Sequence, residues 1–318
     1  MATYNGGPYL AAQLASLAHQ DRLPDELVIS DDGSCDETEQ VVKEFAATSP
    51  FPVIWLRNTG RRGYRRNVDF ALAATIGDII LLADQDDVWL EQHVRWLVTP
   101  FEINSRLMVT AGDSEEISAS GEVVSPSIRP ALTPAKLHAT NRARGAAQFR
   151  SVLGVRGVIG HSMAFRRAVV ELASPLPSGW MHDEWIFLVG AAMGPILYVD
   201  ETISRFRRYA RELPAEYPRE DSRAGAGPAG ELTSSSIKPG GSTASSGFVS
   251  ETTKWQNLLS RLKYAGPMLP YADRVLHDVS AQIRVLAFQA SLRDQSAPVR
   301  AVRKLPWILT GRNPKIPS

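Results

Sequence analysis

The chain has 318 residues, 44% of them hydrophobic and 22% charged, which is enough for one large α/β domain with an appendage or for two modest domains. Lys and Arg total 35 against 34 Asp and Glu, so there is no global basic field to hold nucleic acid, and a polyanion partner is not expected. The single cysteine, Cys35, rules out an internal disulfide framework, and with no long apolar run and no signal-peptide plan the expected location is the cytoplasm.

Residues 1–101 alternate apolar runs with amphipathic segments, the pattern of a parallel sheet with crossover helices. Gly6, Gly7 and Pro8 mark the start of a first helix in which Leu10, Leu14 and Leu17 recur at spacings of four and three. Residues 27–30 read as a buried strand, 36–47 as a helix with Val41, Val42 and Phe45 on one face, and 53–56 as a second strand. Gly60 and Gly63 break the chain before a helix at 65–75, which leads into an apolar strand at 78–83 that ends in Asp84-Gln85-Asp86-Asp87.

From 107 to 124 the pattern shifts to short strands, with Ala119-Ser120-Gly121-Glu122 as a hairpin turn. Helices are expected near 167–173 and 182–193, then a strand at 196–199. Residues 213–250 are dominated by Gly, Ser, Ala, Pro and Thr and read as a disordered loop. Helical periodicity returns at 253–264 and 271–292. The expected division is therefore an α/β domain over 1–212, the loop over 213–250 and a C-terminal helical region over 251–318.

In a parallel α/β sheet, ligands bind beyond the carboxyl ends of the strands. Two acidic clusters fall at such ends, Asp31-Asp32-Gly33-Ser34 and Asp84-Gln85-Asp86-Asp87. Side chains alternate along extended chain, so Asp84 and Asp86 are expected to point the same way while Asp87 turns aside. Such a pair suits a hard divalent cation that takes its other ligands from phosphate oxygens and water. Asp-rich strand ends also serve as ordinary caps and turns, but two of them at strand ends of one sheet, one followed by Val88-Trp89-Leu90, favour a diphosphate site.

The set Met1-Ala2-Thr3-Tyr4-Asn5-Gly6, Asp31-Asp32-Gly33-Ser34, Asn67 and Asp84-Gln85-Asp86-Asp87-Val88-Trp89 resembles family 2 glycosyltransferases over roughly residues 1–210. The Asp-Gln-Asp-Asp-Val-Trp form is similar to rhamnosyltransferase-like enzymes of bacterial O-antigen and capsule assembly. The resemblance implies a GT-A fold, a mostly parallel Rossmann-like sheet flanked by helices with a helical C-terminal appendage. It implies inverting transfer of a sugar, rhamnose being one candidate, from a nucleotide-diphosphate donor to a glycan or lipid-linked glycan, with Mg²⁺ or Mn²⁺ as cofactor. Thr3 and Tyr4 would then lie beside the base, Asp31 or Asp32 would accept from its imide, and Arg66 and Asn67 would sit near base and phosphates. Asp84 and Gln85 would lie near the ribose, with Asp86 the direct metal ligand and Asp84 the second. Asp183 in His182-Asp183-Glu184-Trp185 would be the general base, with Glu184 as fallback.

Two departures from the resemblance are visible. The family begins with a buried strand ahead of the Ala-Thr-Tyr-Asn-Gly segment, so the first strand of the sheet is expected to be missing, with a central position left unpaired. Tyr209 stands where relatives often carry a His after the arginines. Arg207 and Arg208 could still neutralise a diphosphate, while His161, Trp180 and Trp185 could border the acceptor. The basic 300–312 stretch, with Leu305, Trp307, Ile308 and Leu309, could rest on the cytoplasmic face of an anionic inner membrane. The rivals are a nucleotide-sugar-binding protein without turnover and a phosphoacceptor receiver domain, the latter disfavoured by chain length.

Overall fold

The structure, a computed structural model, describes residues 1–128, 134–153, 160–208, 251–266 and 269–293. Tyr209, the 213–250 stretch and the basic 300–312 segment lie outside the described residues.

The first third follows the expected alternation: β1 (Ala2–Thr3), α1 (Gly7–Ala18), β2 (Leu27–Asp31), α2 (Thr38–Ala46), β3 (Val53–Arg57), α3 (Tyr64–Ala74) and β4 (Ile79–Leu81). Pro8 sits in the first turn of α1, where no intrahelical partner for its nitrogen is needed. Leu10, Leu14 and Leu17 bury the expected stripe. All five residues of β2 are buried, as fits a strand covered on both faces. β1, β2 and β3 form a parallel sheet, with Ala2 opposite Ser30 and Thr3 opposite Asp31. β1 thus has two residues here and pairs with β2.

The remainder comprises β5 (Val88–Trp89), α4 (His93–Ile103), β6 (Val109–Ile117), β7 (Val123–Ser125), α5 (Pro134–Arg142), α6 (Ala146–Val152), a 3-10 turn at Gly160–Ser162, β8 (Met163–Arg166), α7 (Arg167–Ala173), α8 (His182–Met193), β9 (Ile196–Arg207), α9 (Glu251–Tyr264) and α10 (Ala272–Arg293). The second sheet has the order β4-β8-β6-β9-β5, with β7 on β6. Only β6 and β9 run parallel within it; β4–β8, β6–β8, β5–β9 and β6–β7 are antiparallel. This half is therefore mixed, as the shift to short strands after residue 107 suggests, while β1, β2 and β3 are all parallel. The short-strand region proves to be one nine-residue strand, β6, hairpinned to β7 through the expected turn, with Ser118 N–H bonded to the Glu122 carbonyl. Gly112 lies at the register shift between β6 and β9, where a Cβ would come within 2.1 Å of Ile203.

α8 is buried nearly all round and forms the centre of the larger core. The C-terminal helices pack onto that core through Trp255, Leu258, Leu262, Val275 and Val279. Arg261 ties α9 to the end of α7 by donating to the carbonyls of Leu172 and Ser174.

Candidate functional site

The carboxyl ends of β1, β2 and β4 meet at one place. Asp31 and Asp32, which end β2, are buried and hold turns of the chain. The Asp31 carboxylate accepts from Thr3 Oγ1 at 3.0 Å and from the N–H groups of Gly33 and Ser34 at 3.1 and 2.8 Å. Gly33 has φ 84, a left-handed conformation that a side chain would strain. Asp32 reaches across to the loop before α3 and accepts the N–H groups of Arg62 at 2.7 Å and Gly63 at 2.9 Å. The two acids thus fix the turn after β2 and the loop before α3 in relation to each other.

Thr3 is buried, whereas Tyr4 is half-exposed beneath the Arg61 guanidinium, 4.2 Å from the ring centroid. Tyr4 is clamped by Gln85, whose Oε1 accepts the Tyr4 N–H at 2.9 Å and whose Nε2 donates to the Tyr4 carbonyl at 3.2 Å. Asn67 lies beneath the site instead of lining it. It donates to the Thr3 carbonyl at 3.1 Å and accepts from Asn58 at 3.0 Å. Arg66 is exposed on α3.

The acidic loop does not have the geometry of extended chain. Gln85 and Asp86 form a turn, so Asp84 and Asp87 converge while Asp86 sits at the tip. Between them stands His161, fully buried, with Nδ1 2.8 Å from Asp87 and 3.8 Å from Asp84. Burial would push this imidazole down, but the carboxylates of Asp87 and Asp84 outweigh it and raise its pKa to about 10. The ring is therefore a cation at neutral pH. Its Nε2 is 2.8 Å from Ser114 Oγ, which is 2.6 Å from Ser204 Oγ, and Phe206 stacks on its face. Burial would raise Asp84, yet His161, His182 and the N-terminal ammonium hold its carboxyl below the usual range.

The same turn carries the second acidic position. Asp183, at the start of α8, accepts the Gly160 N–H at 3.0 Å and the Glu184 N–H at 2.8 Å. His182 shares a small cleft with Asp84, Tyr64 and Ala2 and stands 3.3 Å from the Tyr64 hydroxyl. The 84–87 and 182–184 segments, about a hundred residues apart, are thereby brought together through Gly160 and His161. Glu184 is more exposed than Asp183.

Several expected roles are corrected. His161, expected beside the acceptor, is fully buried at the centre of the acidic cluster. Trp185 is buried and donates to the Ala173 carbonyl at 2.8 Å, and Trp180 donates to the Lys254 carbonyl at 3.0 Å, so both belong to the core. Arg207 is buried and is engaged with protein groups. Its Nε donates to the Asp86 carbonyl at 2.9 Å, its Nη1 to the carbonyls of Ser118 and Ala119, and its backbone N–H to Asp87 at 2.8 Å. Arg208 is exposed and pairs with Glu116 at 3.0 Å. Asp87 does not turn aside; it is the inner anchor of the loop.

Asp84, Asp87 and His161 bring side-chain atoms within 4.8 Å of one another, but a protonated imidazole has no lone pair for a metal, so the chemistry that fits a divalent ion here is that of the carboxylates. Within the set, Asp87 and His161 already balance each other in the interior, whereas Asp84 keeps 30% of its side chain exposed. An ion would thus meet the outer face of Asp84 and the turn tip at Asp86.

Residues 1–172 match the model of a family described as Glycosyl transferase family 2, just over half of the 318 residues. An uncharacterized glycosyltransferase of Nostoc sp. is 26% identical over 218 residues, covering 65% of this chain and 63% of that protein. A dTDP-rhamnosyl transferase of Shigella flexneri is 30% identical over 99 residues, 30% of this chain and 34% of that protein. The chain thus spans less than two thirds of the length of either curated relative. The solved structure of a mannosyltransferase from Pyrobaculum calidifontis, in complex with GDP-Man and Mn²⁺, superposes with a TM-score of 0.49 at 18% identity, covering 98% of this chain and 79% of that one. Among the described residues no helix is long and apolar enough to cross a membrane.

Proposed function

Since the chain belongs to glycosyl transferase family 2, we propose that it transfers a sugar, with inversion, from a nucleotide-diphosphate donor to a glycan or lipid-linked glycan acceptor. The observation that carries this reading is the junction at Gly160–His161. One turn holds both the acidic loop, through Asp87 and Asp84, and the N-terminus of α8, through Asp183. A donor site and a proton acceptor must be held in fixed relation for in-line attack, and a short rigid link does this.

In this reading Tyr4 and Arg61 flank the base, and Asp32 with the 61–63 loop closes its edge. Asp84 and Asp86 hold Mg²⁺ or Mn²⁺, which when bound neutralises charge on the departing diphosphate. Asp87 and His161 fix the direction of Asp84. Asp183 accepts the proton of the acceptor hydroxyl. Rhamnose as the sugar rests on the Asp-Gln-Asp-Asp-Val-Trp form of the acidic loop and on the similarity to the dTDP-rhamnosyl transferase.

The test is donor binding by calorimetry, with and without Mn²⁺, alongside a transfer assay. Asp86→Asn should abolish the Mn²⁺-dependent part of donor affinity. Asp183→Asn should spare donor affinity and lower turnover by ~10²–10⁴-fold, the usual range for a lost general base. Equal turnover in Asp183→Asn with loss in Glu184→Gln would move the base by one residue. A second reading, donor binding without turnover, draws on the fact that both Asp183 oxygens already accept backbone N–H groups. Donor binding with no transfer to any acceptor and no donor hydrolysis would favour it.

A further inference from the structure

The strand β9 ends in Arg205-Phe206-Arg207, between two loops. On one side it pairs with β6, with Arg207 opposite Ile117 at the mouth of the β6–β7 hairpin. On the other side it pairs antiparallel with β5, with Val88 opposite Arg205, so the register carried two residues further sets Arg207 against Asp86. Side chains alternate along a strand, and the two faces of this strand end are used differently. Phe206 stacks on His161, with the ring centroids 5.4 Å apart. Arg205 and Arg207 take the opposite face, where Arg205 pairs with Glu115 at 3.0 Å and remains partly exposed.

Arg207 is only 7% exposed, and its guanidinium bridges main-chain carbonyls of two separate loops. Nε donates to Asp86 at 2.9 Å, and Nη1 donates to Ser118 at 3.1 Å and to Ala119 at 2.9 Å. The Tyr9 ring of α1 lies beneath the guanidinium, its centroid 4.7 Å away. The hairpin turn that supplies two of these carbonyls is closed on itself. Its Ser118 N–H donates to the Glu122 carbonyl at 2.8 Å and its Gly121 N–H to the Ser118 carbonyl at 2.9 Å. One side chain thus joins the tip of the acidic loop to a closed turn and to the first helix. A tie is needed there, because Asp84, Asp86 and Asp87 place three carboxylates within four residues, and their mutual repulsion favours an open loop until a cation arrives. On the inner face His161 balances Asp84 and Asp87; on the other face Arg207 fixes the backbone of Asp86.

We propose that Arg207 is a positioning residue for the metal: by tying the Asp86 carbonyl to the Ser118–Ala119 turn, it presets the tip of the acidic loop for a divalent cation before any donor binds. The proposal rests on the reading of Asp86 as a metal ligand. Geometry and charge act in opposite directions here. A guanidinium beside a cation site repels the ion, so its charge alone weakens binding. Its carbonyl bonds strengthen binding, because they hold the backbone from which the Asp86 carboxylate projects. Groups that orient a metal ligand from behind typically carry ~10–100-fold of metal affinity. A lysine at this position keeps the charge but lacks the planar fork that reaches both loops at once.

The test is a titration of Mn²⁺ alone into the full chain, with the free ion followed by its electron paramagnetic resonance signal at a temperature where the variants are folded. Arg207→Lys and Arg207→Met should each weaken Mn²⁺ binding by ~10-fold or more. Where Arg207→Met does not fold, Arg207→Lys decides. Leu258→Ala, in the buried contact of α9, is the stability control: it should lower Tm and leave Mn²⁺ affinity at the parental value. An equal loss of affinity in Leu258→Ala would show that binding merely follows stability and would overturn the role. Parental affinity in Arg207→Lys would overturn it too, and tighter binding in Arg207→Met would show the arginine acting through its charge instead. A parent that binds no Mn²⁺ by itself, yet binds donor in a Mn²⁺-dependent way, would overturn the preset loop and leave the metal reading standing. Parental Mn²⁺ affinity in Asp86→Asn together with a loss in Arg207→Lys would take the ligand role from Asp86, a failure of that reading and not of the hold of Arg207 on the loop.

Discussion

Asp87→Asn is the sharpest perturbation of the acidic loop, because it removes one charge from a buried ion pair and keeps its shape. His161 and Asp87 lie 2.8 Å apart and are at most 1% exposed. The new amide oxygen can still accept the Arg207 N–H, so the charge is what is lost. Removing one partner of a buried pair costs ~3–5 kcal/mol, because the other charge is left uncompensated. Asp84, 3.8 Å from the imidazole, retains part of the attraction and places the cost near ~3 kcal/mol. For a domain of this size that corresponds to a fall in Tm of ~6–12 °C. Thermal unfolding of Asp87→Asn, His161→Gln and the double variant completes the cycle. The double variant leaves a neutral pair, so it should be less damaged than the sum of the singles by ~2 kcal/mol or more. A Tm within ~2 °C of the parent for Asp87→Asn, or strict additivity, would refute the buried cation.

Gly6→Ala places a Cβ 2.5 Å from Gln85 Oε1 and should displace the Gln85 clamp on Tyr4. It should cost ~1–2 kcal/mol in urea unfolding, and its effect should overlap with that of Gln85→Ala; full additivity would mean that the clamp is not the shared element. Arg207→Lys keeps the charge but loses the fork to the Asp86, Ser118 and Ala119 carbonyls, and should destabilise by ~1–3 kcal/mol; no loss of stability together with weaker donor binding would return Arg207 to the diphosphate. His93 is buried, donates to the Ile203 carbonyl at 3.0 Å and has its pKa lowered to about 3, chiefly by burial. Its folded pKa lies below the unfolded one, so its contribution is present above pH ~6.5 and is lost as pH falls toward 3, at ~1.4 kcal/mol per pH unit. His93→Gln should flatten that acid limb; an unchanged slope would show that the imidazole is already charged.

What could be seen in the sequence was local. α1, α7 and α8 carry dense apolar periodicity, and their positions follow from it within a residue or two. The acidic clusters stand at strand ends, where apolar runs give way to Asp. The pairing inside the second cluster was misread because alternation holds only for extended chain. A turn at Gln85–Asp86 makes partners of residues three apart. β9 was seen as four residues because Asp200, Glu201 and Thr202 interrupt the apolar run, yet the backbone stays paired to β6 through Arg207. His161 carries no local signal, since its partners lie about 75 residues away and meet it only in the folded sheet. The burial of Arg207 is hidden for the same reason: it depends on the Asp86, Ser118 and Ala119 carbonyls, supplied by loops that sequence does not place beside it.

The state of β1 links the two ends of the molecule. A central strand is normally held by ladders on both sides, but here the rungs to β4 are absent and two residues pair with β2 only. Side chains hold the stub in place instead. Asn67 donates to the Thr3 carbonyl, Thr3 Oγ1 donates to Asp31, and Gln85 brackets Tyr4 on the side of the acidic loop. Each such bond contributes only ~0.5–1.5 kcal/mol net. Together they fix the position of Tyr4 relative to Asp84, which no backbone pairing between β1 and β4 does. Asn67 and Gln85 thus both bond to the backbone at the end of β1. They hold that strand end through side-chain amides, beside the backbone pairing of β1 with β2.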